Sequence, residues 1–399
     1  MDLRSIKTRR YMSGFLRIGF LGLIFGVSSL WGRLVWSDLD QFQRQWTDTA
    51  FIEQMDQVYA PYADWRSWVD LFEGRAEIRM DDVSPFARYV YYFRPEAVEE
   101  PLKVDAKRLK GLRVVIDPGH LGGPWGLMEG RSFVIGEDTR GLVQEGDLTL
   151  AVGQVLMREL EELGVSVVLT RDSSEPVTTI RPEGLLPEDW ESSVGSEASR
   201  KAYLQTVERQ FYRVAEIQAR AQVINDIYHP DLVICLHFNA EGWGPNGMSE
   251  PVERSHGHIL VNGTYQDDEL AREDVRLALF WRLFSGASQM EIPLAQSMAQ
   301  AMETATGLAP YSYRGRNAIE INGSRYVWAR NLMANRIYQS PVVYLEPWVA
   351  NEADTYEWIQ AGNFEGTQMI NGRERASIVR TYVRFVVQGI VDYFDSESP

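Results

Sequence analysis

Two histidines and two glutamates, far apart along the chain, have the residue types and settings that metal-assisted hydrolysis needs. His120 follows the apolar run 112–116 through Asp117-Pro118-Gly119. His237 closes the run 232–236, with Asn239 just beyond, and Glu346 closes the run 342–345. In open α/β sheets reactive groups gather beyond the carboxyl ends of the strands, so three separate runs deliver His, His and Glu to one sheet edge. The second glutamate, Glu145, opens Glu145-Gly146-Asp147 at the head of a helical stretch, after a segment holding Gly122, Gly123, Gly126, Gly130, Gly136 and Gly141. A segment that flexible can fold Glu145 back beside His120. Two imidazoles and one carboxylate make the ligand set of a catalytic zinc whose fourth position stays open. Zinc lowers the pKa of a bound water from about 15.7 to about 7 and polarises a carbonyl. A further carboxylate must then move protons, and Glu346 stands where that is wanted.

Simpler readings stand beside these. Glu145 also reads as a first-turn acid favoured by the helix dipole, and Asp147 as the cap of the same helix. Asp117 reads either as a carboxylate orienting His120 or as a turn stabiliser. His229, before Pro230, reads as a helix C-terminal cap. His256 and His258 enter a strand and read as packing or surface residues, with substrate contact as the alternative. Arg314, Arg316 and Arg330 precede the Glu346 run; an arginine fork suits a peptide carboxylate, and solvated surface is the competing reading. Trp243 and Trp348 flank the expected cleft, for sugar stacking or for packing.

The elements that must position these groups follow from the pattern. From residue 111 onward, short runs that are apolar throughout (112–116, 165–169, 232–236, 259–261 and 342–345) alternate with amphipathic stretches at 148–163, 199–228, 292–306 and 375–394. Runs without polar alternation belong to a sheet covered on both faces. The pattern predicts an α/β fold of three layers, a mostly parallel sheet flanked by helices. Residues 172–198, rich in Pro, Ser and Gly, read as an irregular loop. Residues 38–109, rich in aromatic and acidic residues, read as a small N-terminal α+β module with a helix near 38–58 and strands near 75–80 and 88–93.

The 399 residues are 45% hydrophobic, 24% charged and 12% aromatic, which excludes collagen, coiled coil and wholesale disorder. One cysteine, Cys235, excludes an internal disulfide framework and a cysteine-based zinc cage. Residues 1–37 carry six basic residues and one acid, so setting that +5 apart from the net −16 leaves −21 on residues 38–399. A body that acidic argues against a nucleic-acid partner. Arg4, Lys7, Arg9, Arg10 and Arg17 precede the apolar run 18–31, the pattern of a signal peptide or signal anchor with a cytoplasmic N-terminus. The expected location is therefore exported, in the periplasm or cell envelope, with membrane anchorage through this segment as an alternative to its cleavage.

The segments 114–123, 145–150, 168–171, 220–225 with 231–240, and 341–346, in that order, resemble the zinc-dependent N-acetylmuramoyl-L-alanine amidases of the amidase-3 type. The resemblance covers about 110–397. It implies a phosphorylase/hydrolase-like catalytic domain that cleaves the amide between N-acetylmuramic acid and L-alanine in peptidoglycan. It also implies one zinc per chain on His120, Glu145 and His237, with Glu346 as general acid/base. Departures from the family pattern are a long His120–Glu145 gap, with Glu137 and Asp138 as substitute ligands, and apparent insertions at 173–212 and 241–256. A zinc peptidase acting on stem peptides and a non-catalytic peptidoglycan-binding scaffold are the alternatives. No regulatory segment or protein partner is legible.

Overall fold

The computed structural model describes residues 34–81, 84, 86–96, 109–135, 140–188, 190, 196–241 and 250–396. The expected leader 1–37 falls almost wholly outside the described residues, as do Glu137, Asp138 and Trp243. Among the described residues no helix is long and apolar enough to cross a membrane.

The chain begins with an antiparallel sheet of β1 (Val69–Phe72), β2 (Arg75–Arg79) and β3 (Arg88–Tyr92), packed with the short helix α1 (Asp48–Gln54). The larger sheet uses β4 (Arg113–Pro118), then β7 (Ser166–Leu169), β8 (Leu232–Leu236) and β9 (His256–Val261). It is completed by β10 (Ala309–Pro310), β11 (Ile319–Glu320), β12 (Val327–Ala329) and β13 (Val342–Pro347). A two-stranded ribbon of β5 (Ser132–Phe133) and β6 (Val143–Gln144) sits between β4 and β7 in the chain. The spatial order is β11-β12-β9-β13-β8-β4-β7, with β10 beside β9.

The expected three-layer architecture is present, but the sheet is mixed. β7, β4, β8 and β13 run parallel, whereas β9 runs against β13 and takes β12 and β10 parallel to itself. Alternate strand residues feed two cores. Val114, Ile116, Leu232, Ile234, Val343 and Leu345 pack towards the helices α3 (Glu145–Glu162), Ala287–Thr306 and Ile378–Ser396. Val115, Val233, Cys235 and Val342 face the opposite side, against Ala221, Ile224 and Tyr338.

Several local expectations change. The glycine-rich segment contains a helix, α2 (Gly123–Glu129), with Pro124 in its first turn and Gly130 just past its end, the usual punctuation of a short helix. A helix at Glu273–Phe284, absent from the amphipathic pattern, is buried on nearly every face, so it has no polar stripe to betray it. One side of it meets the N-terminal module: Tyr91 stacks on Phe284 at 3.9 Å between ring centroids, and the Trp46 indole N–H donates to the Phe284 carbonyl at 3.3 Å. Arg276 donates to the carbonyls of Arg79 and Met80 and lies 4.1 Å over the Trp68 ring. The module and the sheet thus share one hydrophobic core.

Candidate metal centre

His120 leaves β4 through a turn that only glycine permits at position 119. A Cβ there would lie 2.1 Å from the His237 ring, so the two loops pass in contact because this residue has no side chain. Gly146 serves likewise in the first turn of α3, where a Cβ would fall 2.2 Å from the Leu121 carbonyl. His120 itself takes φ 59°, the left-handed region that costs a non-glycine residue about 1 kcal/mol or more. Two buried arginines hold that turn. Arg220 donates to the carbonyls of Pro118 at 2.7 Å and His120 at 3.0 Å, and Arg171 donates to those of Pro118 at 3.1 Å and Gly146 at 2.6 Å.

Those arginines explain Asp117. Its carboxylate accepts from Arg220 at 2.9 Å, Thr170 at 2.6 Å and Tyr338 at 2.7 Å, so it anchors the foundation and does not orient the His120 ring. Burial pushes Asp117 up, but the Arg220 charge and these donors hold it below the ordinary value. The carboxylate that meets His120 is Glu129, at the end of α2, 2.6 Å from Nδ1, and it also accepts from the Leu121 N–H at 3.1 Å. An ionised carboxylate only accepts, so Nδ1 carries the proton and Nε2 presents its lone pair.

That nitrogen faces Glu145. Oε1 of Glu145 lies 3.4 Å from His120 Nε2 and 3.1 Å from His237 Nδ1, and it accepts from the Phe238 N–H at 3.1 Å. One donor atom from each of the three residues lies within 4.8 Å of the other two, the only such grouping among the described residues. The His237 ring stacks on Tyr344, with centroids 4.1 Å apart, which fixes its plane. Asp147 does not cap its own helix; its carboxylate reaches across to Ser174 at 2.8 Å and the Gly123 N–H at 3.4 Å.

Glu346, next to last in β13, lies opposite His258 of β9. Burial pushes its carboxyl up to about 7, with the Glu145 charge adding to this and His237, Arg131 and Arg330 partly offsetting it. Burial alone would raise Glu145 too, but the His120 and His237 imidazoles and Arg131 overturn that and hold it down at about 2. The two carboxyl groups are thereby driven apart, Glu145 towards the anion and Glu346 towards the protonated form.

The remaining candidates divide. Arg330 lies near Glu346 and donates to the Tyr313 hydroxyl at 3.2 Å. Arg316 sits 5.9 Å from the Tyr62 ring centroid in the N-terminal module, and Arg314 is exposed. Asn239 turns its Oδ1 to the N–H of Ala240. Trp348 packs among Phe238, Trp358 and Tyr382. His229 takes the left-handed C-cap position of the helix before β8. His258 lies buried against Tyr313, its Nε2 2.9 Å from the hydroxyl, and burial lowers it to about 3. His256 meets Glu241 at 2.7 Å. Sequence reasoning missed Glu129, Arg131, Tyr313 and Tyr344. The Pro124–Gly130 punctuation could have exposed the first, as the acid that closes a short helix.

The Amidase_3 family profile, described as N-acetylmuramoyl-L-alanine amidase, matches residues 114–368. No curated protein matches the chain. Among solved structures, the chain is similar to the amidase Ami1 from Mycobacterium smegmatis at 16% identity and TM-score 0.41, covering 73% of this chain and 100% of that one. It is similar to AmiC2 of Nostoc punctiforme at 15% identity and TM-score 0.39, covering 72% and 99%. It is also similar to Cwp6 from Clostridium difficile at 16% identity and TM-score 0.39, covering 71% of this chain but only 29% of that longer one. The profile spans well over half of the 399 residues, and the chain belongs to the N-acetylmuramoyl-L-alanine amidase family of the Amidase_3 type.

Proposed function

We propose that this protein is an exported zinc amidase that hydrolyses the amide between N-acetylmuramic acid and the L-alanine of the peptidoglycan stem peptide. The observation that carries the reading is the convergence of His120 Nε2, His237 Nδ1 and a Glu145 oxygen around one point. The donor set fits the metal: two nitrogens and one oxygen, no thiolate, and a carboxylate behind His120 that fixes its tautomer. When bound there, zinc supplies a Lewis acid for the carbonyl and brings the pKa of a water to about 7.

The chain's own groups do the rest. Glu129 keeps the Nε2 lone pair of His120 pointed inward, and Tyr344 holds the His237 ring. Glu346 accepts a proton from the attacking water and returns it to the leaving nitrogen, a role that its raised affinity for protons supports. The basic and apolar segment 1–37 directs export to the envelope, where peptidoglycan lies. The module at 38–109 and the catalytic domain from 110 act as one body, joined through a shared hydrophobic core.

The test is digestion of purified cell wall by the wild type and by Glu346→Gln. The wild type should release muramic acid lactyl groups together with N-terminal alanine. The variant should hold equimolar zinc by elemental analysis while turnover falls by about 10²–10⁴-fold. Near-normal turnover in the variant would refute the acid–base role of Glu346. New termini elsewhere in the stem would make the protein a peptidase, and zinc binding without hydrolysis of any muropeptide would leave a wall-binding scaffold.

A further inference from the structure

We propose that Arg131 and Arg330 form a carboxylate-binding subsite beside Glu346, which selects stem peptides whose second residue carries a free acid group. The inference rests on the amidase reading above.

Arg330 follows β12, and Trp328, two residues before it, shares a packed face with Leu260 and Tyr344, the face that continues to Glu346. Its guanidinium lies 5.1 Å from the centroid of the Tyr313 ring and donates to that hydroxyl at 3.2 Å. Since the Tyr313 oxygen accepts there, its own proton is directed to His258 Nε2, 2.9 Å away, a ring that burial keeps neutral. The chain His258, Tyr313, Arg330 therefore fixes one guanidinium edge and leaves the other uncommitted.

Arg131 approaches from the metal side. Its N–H donates to the Gly126 carbonyl at 2.9 Å and its carbonyl accepts from the Glu145 N–H at 3.1 Å, so its backbone is pinned between α2 and α3. Its guanidinium reaches to 3.8 Å from the Glu145 Oε2, the oxygen not shared by the two imidazoles. Arg330 reaches through Tyr313 to His258, the residue paired with Glu346 across β9 and β13, and Arg131 reaches Glu145, so both charges bear on Glu346 from opposite sides. Among the described residues Arg330 has no carboxylate within ion-pair distance, and Arg131 has only that long contact. On a body carrying −21 over residues 38–399, half-buried Arg330 has no acid partner among the described residues and half-buried Arg131 has one long contact, so both are held for an anion that arrives from outside. The planar fork of arginine matches a carboxylate. In a stem peptide the second residue is one link beyond the reacting amide, and its carboxyl group is free or amidated according to the wall.

The experiment compares muramyl-L-alanyl-γ-D-glutamyl-L-lysine with its α-amide, muramyl-L-alanyl-D-isoglutaminyl-L-lysine, so that only the α-carboxyl of the second residue differs, in the zinc-loaded wild type, Arg330→Gln, Arg330→Lys and Arg131→Gln. The wild type should favour the acid by about tenfold or more in kcat/KM, the size of one charged hydrogen bond, with the difference in KM. Each Gln variant should bring the acid-to-amide ratio towards one, and Arg330→Lys should restore part of it. Calorimetric binding of both peptides to Glu346→Gln gives the same comparison without turnover. Equal kcat/KM for acid and amide in the wild type would overturn the subsite and leave the amidase reading standing. So would loss in the Gln variants that is equal for both peptides. A change only in inhibition by free N-acetylmuramic acid would reassign the arginines to the product's lactyl carboxylate. Failure of the wild type to cleave either peptide would sink both readings.

Discussion

The two halves of the central sheet build the cleft by different means. In the parallel half, β4, β8 and β13 run the same way, and each ends where chemistry is wanted: His120 lies two residues past the end of β4, His237 follows β8 at once, and Glu346 is the next-to-last residue of β13. In the reversed half, β9 enters the same edge with its first residues, so that His258 stands opposite Glu346 and Gly257 opposite Pro347. The parallel half supplies His120 and His237, which meet Glu145 from the head of α3. The reversed half supplies an aromatic and imidazole wall: His258 with Tyr311 at 4.9 Å and Tyr313 at 5.4 Å between ring centroids. A strand contributes to a site by the end it presents there, and direction decides which end that is.

The sharpest way to break this division is to delete one imidazole from each half. His237→Ala should abolish metal binding and hydrolysis together, because a three-ligand site left with two residues loses its affinity. His258→Gln should retain equimolar metal, since its Nε2 faces Tyr313 and no ligand atom. Elemental analysis after exhaustive dialysis reads both. Metal loss in His258→Gln equal to that in His237→Ala would place the reversed half inside the ligand set and erase the distinction.

The same contrast explains what was legible in the sequence. His120, His237 and Glu346 follow apolar runs, and a rule that inspects the residue after each run finds them. His258 begins a run, so the rule passes over it until the strand's direction is known. Direction is set by pairing across more than 80 residues, between His258 and Glu346, which local pattern does not encode. Glu129 and Arg131 were hidden for another reason. They lie in a segment whose glycines read as loop, although Gly123–Glu129 is helical and aims its last residue at His120. The helix Glu273–Phe284 was illegible because it is covered on both sides, by the sheet domain and by the N-terminal aromatics, and full burial removes the periodicity that marks a surface helix.

A second prediction tests whether the glycine-rich segment belongs with the parallel half. Glu129→Gln keeps the shape but weakens the charge that fixes His120 Nδ1–H. Removal of such an outer partner costs about 10–100-fold in metal affinity. Competition with a chelator of known affinity should show that loss with the fold unchanged by circular dichroism. An affinity within about twofold of wild type would mean that the 2.6 Å contact does not govern the ligand ring.

The smallest expected effect belongs to the reversed half and is read in stability. Burial first, then the His256 and Arg330 charges, lower His258 from 6.5 to about 3. The unfolded chain therefore takes up a proton below pH 6.5 that the folded chain refuses until about pH 3. Stability from this group is complete above pH 6.5 and declines as the pH falls, by about 1.4 kcal/mol per unit. Depressed carboxyl groups such as Asp117 and Glu129 act in the same direction only below the ordinary carboxylate range, while Glu346, raised to about 7, acts in the opposite direction from pH 6.5 to 5, so the His258 contribution is read as the difference between wild type and variant in that window. Urea unfolding of metal-free protein across that window should cost the wild type about 2 kcal/mol more than His258→Gln, which keeps a partner for Tyr313 and cannot titrate. Parallel curves for the two proteins would show that the wall exchanges protons freely. The reversed half would then lose the dry, fixed character that sets it apart.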